Sequence, residues 1–436
     1  MNPLALELNT SLDGTIAGRF LSRMGKRLYF PKGIIAQAAE AKKNAHTANA
    51  TIGMAYDKGK LLILSAIAES MPGLTPDQIV AYAPTAGIEK LRAAWQKLIL
   101  EKNPSLNGEK ISLPVVTAGL TSGVSAIADL FFDEGSTLIS SDPCWDNYSL
   151  IFEERRAAVL KTIPLFSGKN SGQGMNLDAL RQAVKEEAKT GQVRLVLNLP
   201  NNPTGYSPTK KEAEELAAIF LEAAESGADI LVLCDDAYFG LFYEDDIYPE
   251  SVFSLLCDLH ERILAVKIDG PIKEDYVWGF RTGFVTFGSR GLTQEHYEAM
   301  IIKLMGAIRS AVSCVNTAAQ YIVMNAMLDK RTPAEKKEFA EMLFNRYKKV
   351  KEFISENPDH PTLTPYPFNS GYFMSFKCES ISAEALRKEL LSQHGIGTVS
   401  LGDDCIRIAF SSMEEEQIPI VLKTLFDCAA AAGTRL

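Results

Sequence analysis

Five short patterns in the chain carry residue types able to do chemistry. Lys273 stands in a loop after the apolar run RILAVKI, with Arg281 eight residues further on in KEDYVWGFRTGF. Asp235-Asp236-Ala237-Tyr238 follows the run DILVLC. Carboxylates at the C-terminal end of a parallel strand face the crevice where open α/β sheets bind ligands. Gly119-Leu120-Thr121-Ser122 opens a helix, where backbone N–H groups and hydroxyls form a phosphate site. Asn202-Pro203-Thr204-Gly205 comes directly after the run VRLVLN. Arg407 lies inside the apolar run CIRIAF, where a guanidinium is costly to bury alone and is expected to meet an anion. Taken singly, each pattern has an ordinary structural reading: a turn, a helix cap, a solvated lysine or a structural salt bridge.

The elements that must hold these residues show in the periodicity. EKLRAAWQKLILEK at 89–102 repeats as a helix, and VVTAGLTSGVSAIADLFF reads as a strand end, a glycine-containing turn and a helix. Short apolar runs recur at 137–140, 193–198, 229–234 and 262–268, with the amphipathic helix TKKEAEELAAIFLEAAE between two of them. Alternation of this kind indicates a mainly parallel α/β sheet. SGKNSGQG at 167–174 reads as a surface loop. After about residue 330 the pattern changes to a long charged helix near 333–356, FNSGYFMSF, a second helix, CIRIAF and a last helix. This is the signature of a smaller α+β unit, completed by the N-terminal segment.

Composition narrows the function classes. With 436 residues, 46% hydrophobic and 23% charged, the chain is an ordinary globular protein too long for one small core. A net charge of -9 without a basic block argues against a nucleic-acid partner. No apolar run reaches the length of a membrane span, and the start MNPLALELNTSLDG lacks a signal-peptide pattern, so a cytoplasmic location is expected. Seven scattered cysteines without a CxxC pair fit reduced thiols. The five histidines show no HxxxH or HExxH spacing, and no metal site is expected.

In order and spacing the five patterns resemble the class I aminotransferases, closest to the aspartate aminotransferase branch, from about Gly53 to Arg407. Ile52-Gly53-Met54-Ala55-Tyr56 looks like the family's glycine segment near the substrate. Tyr82 in AYAPTAG resembles the tyrosine that reaches the neighbouring subunit's cofactor phosphate, and Trp145 in PCWDN the tryptophan that stacks on the cofactor ring. The resemblance implies fold type I of the pyridoxal-5′-phosphate (PLP) transferases: an α/β protein with a mainly parallel, seven-stranded-type large domain at about 61–330. A smaller α+β domain at 331–436 would be joined by an arm from 1–60.

Roles follow from the resemblance. Lys273 would carry PLP as a Schiff base and shuttle the proton, and Asp235 would hold the pyridine proton. Asn202 and Tyr238 would bond the ring 3′-oxygen. Leu120, Thr121 and Arg281 would take the phosphate, and Trp145 would stack on the ring. Arg407 would bind the substrate α-carboxylate, with Gly53, Met54 and Asn202 near the substrate. Arg309 in AIRSAVS falls where aspartate-type enzymes carry a second arginine, donated across a homodimer to a side-chain carboxylate; a helix-ending arginine is the other reading. The substrates would be an amino acid and a 2-oxo acid.

The chain departs from the family just before the lysine, where serines one and three residues ahead are replaced by Ile272 and Gly270. Ser122 or a water is expected to make up the lost phosphate contact. Lys267 is the rival lysine, but it lies inside the apolar strand and lacks the spacing to Arg281. A PLP-dependent lyase on the same fold is the alternative activity. A PLP-dependent transcription regulator is disfavoured, because the residues before Gly53 are few and not basic.

Overall fold

The computed structural model describes residues 1–3, 6, 10, 34–51, 54–70, 73–106, 111–168 and 174–434. Gly53 and most of the 167–174 loop lie outside the described residues. Seven strands form the main sheet: β1 (Val115–Thr117), β2 (Thr137–Asp142), β3 (Val159–Pro164), β4 (Gln192–Asn198), β5 (Asp229–Asp235), β6 (Ile263–Asp269) and β7 (Gly283–Gly288). Their order is β1-β7-β6-β5-β4-β2-β3. Strands β3, β2, β4, β5 and β6 run parallel, while β7 is antiparallel to both β6 and β1. This is the α/β class that the resemblance implied.

The apolar runs read from the sequence are the buried strands β2, β4, β5 and β6. Strand β3 escaped that reading for a physical reason. It is one of the two edge strands and leaves Val159, Thr162 and Pro164 exposed and Lys161 partly in water, so its pattern is mixed rather than apolar.

Helices cover the sheet in the places that periodicity indicates. Helix α1 spans Ile34–Asn44 and α2 spans Glu89–Lys102; α2 buries Leu91, Trp95 and Ile99, four residues apart along one stripe. Trp95 stacks on Phe284 of β7 at 4.3 Å and donates its indole N–H to Asp269 Oδ1 at 3.0 Å, which ties α2 to the end of β6. Helix α3 (Leu120–Phe131) follows β1, α4 is Leu177–Ala188, and α5 (Lys210–Glu225) starts at a capping box between Thr209 and Glu212. Helix α6 is Gln294–Ala311, α7 is Thr317–Leu328, and the long α8 is Thr332–Glu356.

A second core surrounds a four-stranded antiparallel sheet of β8 (Leu363–Pro365), β9 (Phe373–Cys378), β10 (Val399–Leu401) and β11 (Cys405–Ala409), in the order β8-β9-β11-β10. Helices α9 (Ala383–His394) and α10 (Gln417–Gly433) pack on it. The N-terminal segment joins this unit. Ala48–Asn49 pairs with Ile396–Gly397, and Gln37 of α1 exchanges hydrogen bonds with the Ser400 backbone at 3.0 and 2.8 Å.

The Asn202–Gly205 turn joins the two cores. Asn201 Oδ1 accepts from the Thr204 amide and hydroxyl at 3.2 and 2.8 Å, and the Gly205 amide closes onto Asn201 O at 2.8 Å. Gly205 has a φ of 78° and its carbonyl accepts from the amides of both Asn369 and Ser370 at 2.9 Å. A Cβ there would lie 2.8 Å from Ser370 O and closer still to Phe373 O. Glycine is therefore required both by conformation and by the approach of β9. Gly205→Ala is expected to lose at least about 2 kcal/mol of stability through left-handed strain and overpacking. The midpoint of chemical denaturation measures this, and a midpoint equal to wild type would contradict the junction role.

Candidate active site

The antiparallel strand explains how one site can gather residues from so many segments. Parallel strands β4, β5 and β6 deliver Asn198, Asp235 and Asp269 at their C-terminal ends, in register Asn198↔Asp235↔Ile268. Because β7 runs the other way, its beginning lies at that same end, with Gly283 opposite Thr117 at the end of β1. Arg281 and the start of α3 therefore meet above the ends of the parallel strands. The cavity formed there measures about 430 Å³. Its wall includes Lys273, Asp235, Tyr238, Asn202, Trp145, Leu120, Thr121, Arg281, Arg407 and Met54, so ten of the sequence-read site residues share one chamber.

Lys273 projects from the loop after β6, with its ammonium 5.0 Å from the centre of the Tyr238 ring. Withdrawal from water lowers its pKa to about 7; the positive charges of Arg407 and Arg281 add to that, and Asp235 opposes it. A large fraction of the amine is thus unprotonated and nucleophilic near neutrality. Lys267 has the opposite surroundings. It is fully buried within β6, in close contact with Asp236 and 3.5 Å from Asp269. Burial alone would lower its pKa, but those two carboxylates raise it on balance and hold it as a paired cation.

The neighbouring aspartates also divide. Asp236 accepts from Ser251 Oγ at 2.6 Å and pairs with Lys267, so it serves the core behind the site. Asp235 lines the cavity. One of its oxygens, Oδ2, accepts from the Tyr148 hydroxyl at 2.5 Å, while Oδ1 is buried without a hydrogen-bond partner. Burial raises its carboxyl to about 6, with Asp236 pushing further up and Tyr148, the Ala237 amide and Lys273 pulling down. An orphaned buried carboxylate oxygen is a strong demand for a donor, and a protonated ring nitrogen supplies one. Tyr238 is buried, and burial pushes its phenol well above the ordinary value, so it stays a hydroxyl donor.

At the opposite end, three glycines clear a cradle. Gly119 caps α3 at a φ of 83°, and a Cβ there would collide with the Arg281 guanidinium. A Cβ on Gly283 would lie 2.8 Å from the Gly119 carbonyl carbon, and one on Gly270 would lie 2.9 Å from Thr282 O and 3.1 Å from Gly283 Cα. The last distance accounts for one departure from the family pattern: the backbone has closed over the place where a serine side chain at 270 would sit. What remains facing the cavity is Leu120 and Thr121 in the first turn of α3, together with Arg281. Free amides and a guanidinium in that arrangement suit a phosphate.

Arg407 comes from β11 in the second core. It donates from Nη1 to Asn202 Oδ1 at 2.8 Å and from Nη2 to Thr51 O at 3.1 Å, and it lies 4.1 Å above the Phe373 ring. Its Nε is buried and lacks a partner, so hydrogen-bonding capacity remains for an anionic ligand. The donor set and orphaned atoms fit PLP and an amino acid: an amine, a carboxylate for a ring nitrogen, an anion cradle, an aromatic wall and a second anion site. Among the described residues no His, Cys, Asp and Glu group could hold a metal ion, and no helix is long and apolar enough to cross a membrane.

Ser122, Tyr82 and Arg309 are not in the wall of this chain's cavity. Tyr82 is 92% exposed, and Arg309 lies exposed in the last turn of α6, donating to Ser313 Oγ at 2.6 Å. Sequence reading missed Tyr148, which follows Trp145 by three residues, and Asn198, whose side chain holds both Asp235 O at 3.0 Å and the Asn202 amide at 2.7 Å. It also missed Ala38, Thr51, Ile272, Trp278 and Phe373 in the wall. A polar residue ending an apolar strand was the available signal for Asn198. Tyr148 offered none.

The family model for aminotransferase class I and II matches residues 53–425. A probable aspartate/prephenate aminotransferase of Aquifex aeolicus is 26% identical over 313 residues, covering 70% of each chain. The aspartate/prephenate aminotransferase of Thermus thermophilus is 24% identical over 345 residues, covering 77% of this chain and 80% of its own. Among solved structures, an aminotransferase from Anaerococcus prevotii superimposes with a TM-score of 0.81 at 24% identity, over 93% of this chain and 98% of that one. A Pyrococcus horikoshii kynurenine aminotransferase, solved with PMP, gives 0.77 at 18% identity over 95% and 98%.

The raised carboxyl makes a pH prediction for the protein without cofactor. Asp235 keeps its proton to about pH 6 when folded but loses it near 3.8 when unfolded, so its burial costs stability as pH rises through that window. Asp235→Asn is expected to match wild type at pH 4 and to exceed it above pH 6 by roughly 2–3 kcal/mol. Denaturation curves at both pH values measure the difference. A variant no more stable than wild type at pH 7.5 would contradict the burial argument.

Proposed function

Since the chain belongs to the aminotransferase class I and II family, we propose that it moves the amino group of an L-amino acid to a 2-oxo acid by a ping-pong reaction, with PLP held on Lys273. The observation that carries this reading is one cavity holding an amine with a pKa near 7 and a buried carboxylate oxygen without a partner. The relatives named above are aminotransferases, which favours this reading over the lyase alternative.

When bound, PLP supplies an electron-accepting ring that stabilises negative charge at the substrate Cα. The chain's own residues do the rest. Asp235 Oδ1 would keep the ring nitrogen protonated, with Tyr148 holding the other oxygen of the carboxylate. Trp145 would cover one ring face, Asn202 and Tyr238 would bond the 3′-oxygen, and Leu120, Thr121 and Arg281 would hold the phosphate. Arg407 would bind the α-carboxylate and so orient the Cα–H bond. Lys273 Nζ, unprotonated in a large fraction of molecules near neutrality, would accept the Cα proton.

The units assigned to 61–330 and 331–436, the latter joined by 1–60, are proposed as cofactor domain and small domain, because the buried residues of the smaller core come from Ala48, Ala50 and the chain from Tyr347 onward, although Ala55, Leu343, Tyr372, Phe373 and Ala409 pack into the larger one. A cytoplasmic homodimer completes the reading. The 92% exposure of Tyr82 supports it, since a tyrosine serving its own core would be covered. Arg309, also exposed, would enter the partner's cavity beside Met54 and pair with a side-chain carboxylate.

Two outcomes test this reading. Borohydride reduction with PLP and peptide mapping should mark Lys273, and the rate of attachment should rise with pH through a midpoint of about 7; marking at Lys267 would refute the assignment. Arg309→Ala should lower turnover of dicarboxylic donors roughly 100-fold while sparing uncharged donors. Equal effects on all donors would leave Arg309 as a helix end.

A further inference from the structure

The loop that carries Lys273 lacks the serines with which the family fastens this segment, and Gly270, Pro271 and Ile272 offer no side-chain hydrogen bond in their place. The two residues after Lys273 do. Glu274 and Asp275 face away from the cavity into a largely buried cluster of charges. Glu274 is in close contact with Lys102, the last residue of α2, and its Oε2 lies 3.8 Å from Lys336 Nζ in the first turns of α8. Lys336 also meets Asp275 Oδ1 at 2.5 Å. The two carboxylates are about nine-tenths buried, and each lysine is about three-quarters covered.

We propose that Glu274 is a positioning residue for Lys273, clamped from behind by Lys102 and Lys336 so that the amine is held at one place in the cavity. The inference rests on the reading of Lys273 as the cofactor lysine. Buried ion pairs gain little over apolar packing, because desolvation offsets their attraction; what a clamp of two cations on adjacent carboxylates specifies is geometry. Two further contacts and one backbone turn set the same loop. The Tyr372 hydroxyl donates to Lys273 O at 2.7 Å, the Asp275 amide donates to Pro271 O at 3.0 Å, and Tyr276 takes a left-handed φ of 57° that turns the chain back toward Trp278. Lys102 anchors the clamp to α2, which Trp95 already ties to the end of β6.

Helix α8 gives the clamp a second consequence. Ten residues beyond Lys336, Arg346 donates to Ser411 O at 2.7 Å and pairs with Glu414 at 3.2 Å. Ser411 lies in the turn that follows β11, the strand bearing Arg407. One rigid helix, rising about 15 Å between the two residues, thus braces both the lysine loop and the carboxylate-binding strand.

The test adds PLP to apo-protein and follows the rate of covalent attachment by absorbance, trapping the product at Lys273 with borohydride. Each variant is measured well below its own unfolding midpoint. Glu274→Gln and Lys336→Met are expected to slow attachment at least about tenfold, because a displaced nucleophile loses its alignment. Lys336→Arg, which keeps the charge, should recover a rate within about threefold of wild type. If Glu274→Gln does not fold, the Lys336 pair, on a partly exposed side chain, decides alone. Folded Glu274→Gln or Lys336→Met proteins that attach the cofactor at the wild-type rate would overturn the positioning role. Wild-type protein that attaches nothing at Lys273 would instead overturn the functional reading on which it rests.

Discussion

The structure turns on a carboxylate buried with one oxygen unanswered. Asp235 ends β5 in the middle of the main sheet, where desolvation pushes its pKa to about 6. Across the same cavity, desolvation and two arginines push Lys273 down to about 7. Both groups are driven toward neutrality by the same physical cause. Tyr148 satisfies one oxygen of Asp235 and leaves the other without a hydrogen-bond partner. That arrangement costs the protein stability, and it makes sense where a ligand with a protonated ring nitrogen and a reactive carbonyl settles both debts.

Everything larger serves to hold these groups opposite one another. Parallel strands bring Asn198 and Asp235 to one end of the sheet, and the reversed β7 brings Arg281 to the same end. The glycines at 119, 270 and 283 let β7, the loop after β6 and the first turn of α3 approach closely. The second core contributes Arg407, and the Asn202–Gly205 turn binds that core to the first while Asn202 itself touches Arg407. The turn is thus both a packing junction and part of the site wall, which explains why its glycine and its asparagine are both constrained.

Much of this was legible in the sequence because it depends on local rules. Apolar runs announced β2, β4, β5 and β6, and the amphipathic stretch TKKEAEELAAIFLEAAE announced α5. The spacing of Lys273 to Arg281 picked the lysine that lines the cavity, and Lys267, set inside an apolar run, lies buried in strand β6. What was illegible depends on long-range meeting. Tyr148 follows Trp145 in an unremarkable stretch, yet it finds Asp235 across 87 positions. Gly270 read as a missing hydroxyl; only the packing shows that its Cα is wedged against Thr282 and Gly283. The edge strand β3 hid because half of it faces water. Tyr82 and Arg309 are exposed and lie outside the wall of their own chain's cavity, so the packing of a single chain assigns them no role.

If Lys273 and Asp235 run amino transfer rather than elimination, the amino group must stay on the enzyme when no acceptor is present. The most direct measurement is a single turnover: PLP-loaded enzyme is given an amino acid with no acceptor, and oxo acid and ammonia are both quantified. The account predicts one 2-oxo acid per Lys273-bound cofactor, no ammonia, and no burst from Lys273→Ala. Continued release of ammonia without an acceptor, or an undiminished burst from Lys273→Ala, would contradict it.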